Sequence, residues 1–186
     1  MRKPQDDLRY QKTERLIQQT FRELMGEMDY LQISIQKLAD RAQINRKTFY
    51  LHYSSIDELL LKMQKDIIEE FLAPIQGAKL PGDLEKVVRN CYAASENADA
   101  MNEKILCSKG RFPVENSSPS PQEMELFDAN YQEYTRQEQP YLLIFVNMSL
   151  GAVYRHWVET GRREPMEDMI RLTIRLISCG LGGNPN

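Results

Sequence analysis

Between Asn45 and Tyr53 the chain reads Asn-Arg-Lys-Thr-Phe-Tyr-Leu-His-Tyr, setting two cations, several hydroxyls, an amide and an imidazole within nine residues. Side chains of these types suit a polyanion. Cations neutralise phosphates, hydroxyls and ring N–H groups donate to phosphate oxygens, and guanidinium or amide groups bond base edges. At helical spacing Phe49 and Tyr53 are one turn apart and face inward with Ile44, which leaves Arg46, Lys47 and Leu51 projecting the other way. A major groove admits such a helix. Catalysis by His52 is not expected, because neither a nucleophile nor a pair of carboxylates accompanies it.

A helix that reads a groove must be held by its neighbours. Ser34 can cap a helix in which Ile35, Leu38, Ala39 and Ala42 recur at i, i+3, i+4 and i+7, with Gln36, Lys37, Asp40 and Arg41 facing outward. Gln43-Ile44 then makes a turn and Asn45 caps the next helix, giving a helix-turn-helix. Upstream, Ile17, Phe21, Leu24, Met25 and Met28 form the stripe of an amphipathic helix from about Arg9 to Met28. Downstream, Ser55 and Glu58 read as a capping box opening a fourth helix that runs to about Ala73. Residues 1 to 8 are polar and read as an arm offering Arg2 and Lys3 to phosphates.

Thr48-Phe49-Tyr50-Leu51-His52-Tyr53 followed by Ser55-Ile56-Asp57-Glu58-Leu59 resembles the signature of the TetR family of bacterial regulators, roughly Thr-hydrophobic-Tyr-x-His-Phe and then Ser-Lys-x-x-Leu. The likeness reaches back through Leu38-Ala39, Ser34, Leu24, Phe21 and Ile17 and covers about the first 60 residues. It implies a DNA-binding head in which Gln36, Lys37, Asn45, Arg46, Lys47, Thr48, Tyr50, Leu51 and His52 face a duplex. Tyr50 would meet DNA through its hydroxyl, Thr48 and His52 would contact phosphates, and Gln36 can bond adenine from the preceding helix. Three positions depart from the family pattern. Its usual glycines fall at Asp29 and Gln43, and the lysine that commonly meets a phosphate at the start of helix four is Ile56. The Thr48-Phe49-Tyr50 variant and the Trp157 to Gly161 region also look like the branch containing the dihydroxyacetone-kinase operon activator, which works with a protein coactivator.

The net charge of −3 is unevenly spread. Residues 1–53 hold ten Lys/Arg against seven Asp/Glu, an excess of three positive charges, whereas the remainder carries an excess of six negative ones. A basic head on an acidic body fits a DNA-binding regulator. No paired carboxylates, phosphate loop or metal-ligand spacing is present, so neither enzyme activity nor a cofactor or metal is expected. Cys91, Cys107 and Cys179 are widely spaced, fit a reducing cytosol and read as small buried hydrophobes, with Cys107 the candidate for a thiol sensor. With no apolar run of about 18 residues and no signal-peptide core, a cytoplasmic protein is expected.

Beyond the head the pattern stays helical, predicting an all-α chain of about nine helices divided into residues 1–54 and 55–186. Asp83 and Asp99 are placed to cap a fifth and a sixth helix. A proline-punctuated loop spans Asn116 to Pro121, and a seventh helix runs from Gln122 to about Gln137. An eighth, Tyr141 to about Thr160, ends at Gly161, and a ninth has Pro165 in its first turn. Tyr92, Met101, Phe112, Phe127, Tyr131 and Tyr134 are the candidates to line an effector cavity. The last two helices are apolar over more than one stripe, so Phe145, Ser149, Ala152, Val153, His156, Met169, Thr173, Leu176 and Ile177 are expected to pair with a second copy. A symmetric dimer would set two recognition helices about 34–36 Å apart on a palindromic operator. The expectation is thus a homodimeric regulator controlled by a small molecule or a coactivator protein, most simply a repressor. The alternatives are an activator, or a helical interaction module that no longer binds DNA.

Overall fold

The computed structural model describes residues 8–108 and 134–180, and the described residues form eight α-helices with no strand. These are α1 (Leu8–Glu27), α2 (Ile35–Arg41), α3 (Arg46–Tyr50), α4 (Ile56–Leu72), α5 (Leu84–Asn97), α6 (Ala100–Cys107), α7 (Gln139–Glu159) and α8 (Met166–Gly180). The all-helical expectation is met, and the predicted eighth and ninth helices are α7 and α8. Of the expected arm at residues 1–8, Leu8 is the first residue of α1 and the rest lies outside the described residues, as do the loop at 116–121 and nearly all of the predicted seventh helix.

Chain contacts gather into two compact units, one containing residues 8–67 and 99–108, the other 68–98 and 134–180. The first therefore includes α6, and α4 runs from one unit into the other.

In the first unit the stripe of α1 is buried as its spacing requires, with Ile17, Phe21, Leu24 and Met25 at most 2% exposed. α1 packs on α2 and α6, and in the same unit Leu38 and Ala39 of α2, Phe49 of α3, Leu59, Leu60 and Met63 of α4 and Ile105 of α6 are buried as well. Burying these side chains supplies the main drive for helices too short to persist alone, since α2 has seven residues and α3 five. Caps fix where they begin. Ser34 Oγ accepts from Lys37 N at 3.2 Å and Asn45 Oδ1 from Lys47 N at 2.9 Å. At α4 the Ser55 hydroxyl accepts from Glu58 N at 3.0 Å, while the Glu58 carboxylate reaches one residue further back than a capping box requires, to Ser54 N and Oγ.

The link between α2 and α3 is a Schellman motif: Ile44 N donates to Ala39 O and Gln43 N to Asp40 O. Such a motif needs a left-handed residue, and Gln43 takes that conformation at φ +54°. At the end of α7 the same motif recurs, with Arg162 N bonding Trp157 O and Gly161 N bonding Val158 O, and here glycine holds the left-handed position at φ +84°. Asp29, the other departure from the family's glycines, has φ −68° and caps a short 3-10 turn over Tyr30–Gln32.

In the second unit α5, α7 and α8 pack together around Tyr92, Tyr154, Trp157 and Ile177. Tyr92, Tyr154 and Trp157 form an aromatic cluster with ring centroids 5.5–6.0 Å apart. The Tyr92 and Thr173 hydroxyls pair at 2.9 Å, which satisfies two polar groups in an otherwise apolar interior. At the edge, Arg89 of α5 grips Glu167 of α8 through two hydrogen bonds of 2.7 and 2.8 Å. Asp83 does not cap α5 with its side chain; its carboxylate instead accepts from Lys79 N, closing the preceding turn. Pro140 falls inside the first turn of α7 rather than before it, where its missing N–H costs no bond. No helix among the described residues is long and apolar enough to cross a membrane.

Candidate nucleic-acid interface

α3 separates its residues by type. Phe49 is fully buried and Tyr53, just past the helix, is 4% exposed, whereas Tyr50 is 50% and Leu51 74% exposed. Arg46 and Lys47 are exposed beside them and Thr48 is half-buried. The inward pair anchors the helix, so the outward set of two cations, a phenol and a leucine is presented by a fixed core. A duplex offers phosphates to the first two and base edges or a thymine methyl to the others.

The residues of α2 are less free than their exposure implies. Gln36 Nε2 donates to Asp40 Oδ1 at 2.7 Å, and Lys37 Nζ folds back onto Gln32 O at 3.0 Å. Each contact holds its side chain in place with one donor, leaving Lys37 Nζ two further N–H groups and Gln36 its second amide N–H and its carbonyl. Arg41 makes a bidentate pair with Glu27, at 2.7 and 2.8 Å, which ties the end of α2 to the end of α1. The guanidinium holds the Glu27 carboxyl below the usual carboxylate range. Ile56, at the position of the family's phosphate-binding lysine, is 7% exposed and packs into the core.

His52 sits differently from the other candidates. Its ring stacks on Tyr10 of α1, centroid to centroid 3.9 Å with 29° between the planes, and its Nδ1 is buried without a hydrogen-bond partner. Burial lowers the imidazole pKa below its usual value, opposed in part by Glu14. Near pH 7 the ring is therefore neutral, and any phosphate contact is made by an N–H dipole rather than a cation. Next to it Tyr53 Oη accepts from Gln18 Nε2 and donates to Glu14 Oε1, both at 3.0 Å. Sequence reasoning did not single out Tyr10, Glu14 or Gln18. Their spacing of four residues places them on one ridge of α1, outside its apolar stripe, and that ridge was the available signal.

Residues 19–63 match the family model described as bacterial regulatory proteins, tetR family. That match spans the first four helices in part and under half of the chain. Residues 19–63 are thus similar to the helix-turn-helix region of tetR-family regulators, with α2 and α3 as its two helices. No curated protein sequence matches the chain. Among solved structures, the chain matches the fatty acid degradation regulator FadR from Bacillus halodurans with 14% identity and TM-score 0.49, covering 95% of this chain and 96% of that one. A TetR transcriptional regulator from Streptococcus agalactiae has 20% identity and TM-score 0.46, over 91% and 95%. The dihydroxyacetone kinase operon activator DhaS has 19% identity and TM-score 0.35, over 91% and 96%.

The other candidate sites fall in the second unit or are divided between units. An apolar groove of about 300 Å³ lies between α7 and α8, lined by Phe145, Ser149, Ala152, Val153, Thr173, Leu176 and Ile177. Seven of the nine residues expected to pair with a second copy thus line one groove. Of the other two, His156 is exposed and Met169 is buried in the unit's own core. Thr173 and Ile177 are fully buried and form the groove's floor, while Phe145 and Leu176 are exposed at 39% and 48%. Three of the six effector candidates lie among the described residues. Tyr92 is a core residue of the second unit, bonded to Thr173, whereas Met101 belongs to the first, and Tyr134 is half-buried. Phe112, Phe127 and Tyr131 lie outside the described residues. Burial pushes the Cys91 thiol up to about 12, so it behaves as a small hydrophobe. Cys107 is half-buried and Cys179 exposed.

Proposed function

We propose that the chain is a cytoplasmic homodimeric repressor that binds a palindromic operator through α3, with binding controlled by a small molecule or a protein acting on the second unit. The carrying observation is the division of α3: Phe49 is fully buried and Tyr53 nearly so, while Arg46, Lys47, Tyr50 and Leu51 stand clear of the protein. The groove between α7 and α8, apolar in lining and carrying the residues expected to pair, supports a second copy as its occupant. An effector alters operator affinity only through a difference in its own affinity for two arrangements of the heads. α4, running from one unit into the other, is the rod that carries the difference.

The test is an anisotropy titration of the full-length protein against duplexes tiling the DNA that flanks its gene. Salt-dependent binding to one palindromic segment is expected, and Tyr50→Phe combined with Lys47→Ala weakens it without changing the dimer or its melting curve. Unaltered affinity in that variant would mean the wrong helix has been set on the DNA. Absence of salt-dependent binding to every duplex favours an interaction module.

A further inference from the structure

α3 is one turn and a half long, and a helix of five residues does not fix its own direction. Its start is held by the Asn45 cap and its middle by Phe49. What holds its far end is less obvious, because Leu51 is exposed and His52 makes no hydrogen bond through its buried Nδ1. The contact that is present there comes from α1. Tyr10, Glu14 and Gln18 stand at i, i+4 and i+8 on one ridge; the first stacks on His52 and the other two bond Tyr53.

We propose that Tyr10 is a positioning residue for the recognition helix: its ring, stacked on His52, holds the end of α3 at the angle from which Arg46, Lys47 and Tyr50 meet a duplex. The inference rests on the DNA-binding reading of α3. The division of work along the ridge is chemical. Tyr53 is buried and fixed by two hydrogen bonds to α1, so it sets depth. His52 is half-buried with no such bond, so the ring face of Tyr10 is what limits its swing. Tyr10 belongs to α1 and is not one of the side chains that α3 presents, so its loss would move the reading side chains without removing any of them.

The experiment is a double-mutant cycle on operator affinity with Tyr10→Ala, His52→Ala and the double variant, together with Tyr10→Phe and Tyr10→Leu. All are measured well below the melting transition of each folded protein. Tyr10→Ala is expected to weaken binding about tenfold, Tyr10→Phe to retain it, and Tyr10→Ala to add nothing in the His52→Ala background. Tyr10→Leu, which keeps bulk but has no ring, is expected to behave as Tyr10→Ala and serves if the alanine variant does not fold. In the free wild-type protein, the His52 ring protons should resonate upfield and return to ordinary positions in Tyr10→Leu. Additive losses, or a Tyr10→Leu protein with wild-type affinity, would overturn the positioning role while leaving the DNA reading intact. Absence of wild-type DNA binding despite the upfield ring protons would overturn both.

Discussion

Two surfaces are left uncovered within their own units, and they are uncovered in different chemical terms. The outer face of α3 shows Arg46, Lys47, Tyr50 and Leu51, each a separate probe carried on a helix whose other side is core. The groove between α7 and α8 shows Phe145, Val153 and Leu176 above a floor of Thr173 and Ile177, with no cation or carboxylate among its lining residues. A face of the first kind gains its affinity from phosphates and releases counterions, so salt weakens it. One of the second kind gains from removing apolar area from water, and salt leaves it nearly unchanged. On the proposed reading, the contrast separates the surface that meets DNA from the one that meets a second copy.

The comparison breaks most sharply at the groove. Phe145→Asp together with Leu176→Asp would bury two unpaired charges on association, an expense of several kcal/mol, and should yield a monomer by sedimentation with its helix content intact. An unchanged mass would show that the groove is not the interface. At the other surface, Arg46→Ala with Lys47→Ala removes two cations from each protomer and should cost on the order of 2–4 kcal/mol of operator affinity and make the dependence of log K on log salt shallower by about four for the dimer. Its mass should not change. Were that variant to become monomeric, the separation of the two surfaces would be wrong.

Smaller effects sharpen the difference between the units. Tyr92→Phe leaves Thr173 unpaired inside the second unit and should lower stability by about 1 kcal/mol in a denaturant titration, with operator affinity per folded dimer unaltered. Gln43→Gly relieves the left-handed strain in the turn before α3, offset in part by glycine's greater freedom when unfolded, for a net gain of about 0.5 kcal/mol. Gly161→Ala, at the matching position after α7, should move melting the other way. The smallest effect is electrostatic. Arg89 holds the Glu167 carboxyl down at about 2. Since the folded value lies below the unfolded one, this contribution is present above about pH 4.5 and lost as pH falls toward 2. Arg89→Ala should flatten that part of the acid-melting profile.

The sequence showed the faces better than it showed their partners. Caps are written in one residue and its near neighbours, so Ser34, Asn45 and Asp99 were legible, and their side chains do accept from the first turns of α2, α3 and α6. The inward pair Phe49 and Tyr53 followed from a four-residue spacing in the same way. What escaped was set by residues far apart along the chain. Tyr10 lies 42 positions from its stacking partner His52. α6 joins the first unit because Arg22 bonds Asn102, Lys104 bonds Met25 O and Gln64 bonds Ile105 O and Ser108 O, contacts no periodicity announces. Lys37 faces outward as its spacing requires, yet its long side chain turns back to the Gln32 carbonyl. For the effector candidates the signal was aromatic content at helical spacing, and in Tyr92 that content belongs to a core cluster.

Hydroxyl-radical footprinting of the dimer on its operator tests the α3 assignment most directly, because it reads the placement of both heads at once. Two protected patches centred about one helical turn apart on one face of the duplex are expected, both lost in the Arg46→Ala, Lys47→Ala protein. Protection that survives in that variant would contradict the assignment of α3 to the groove.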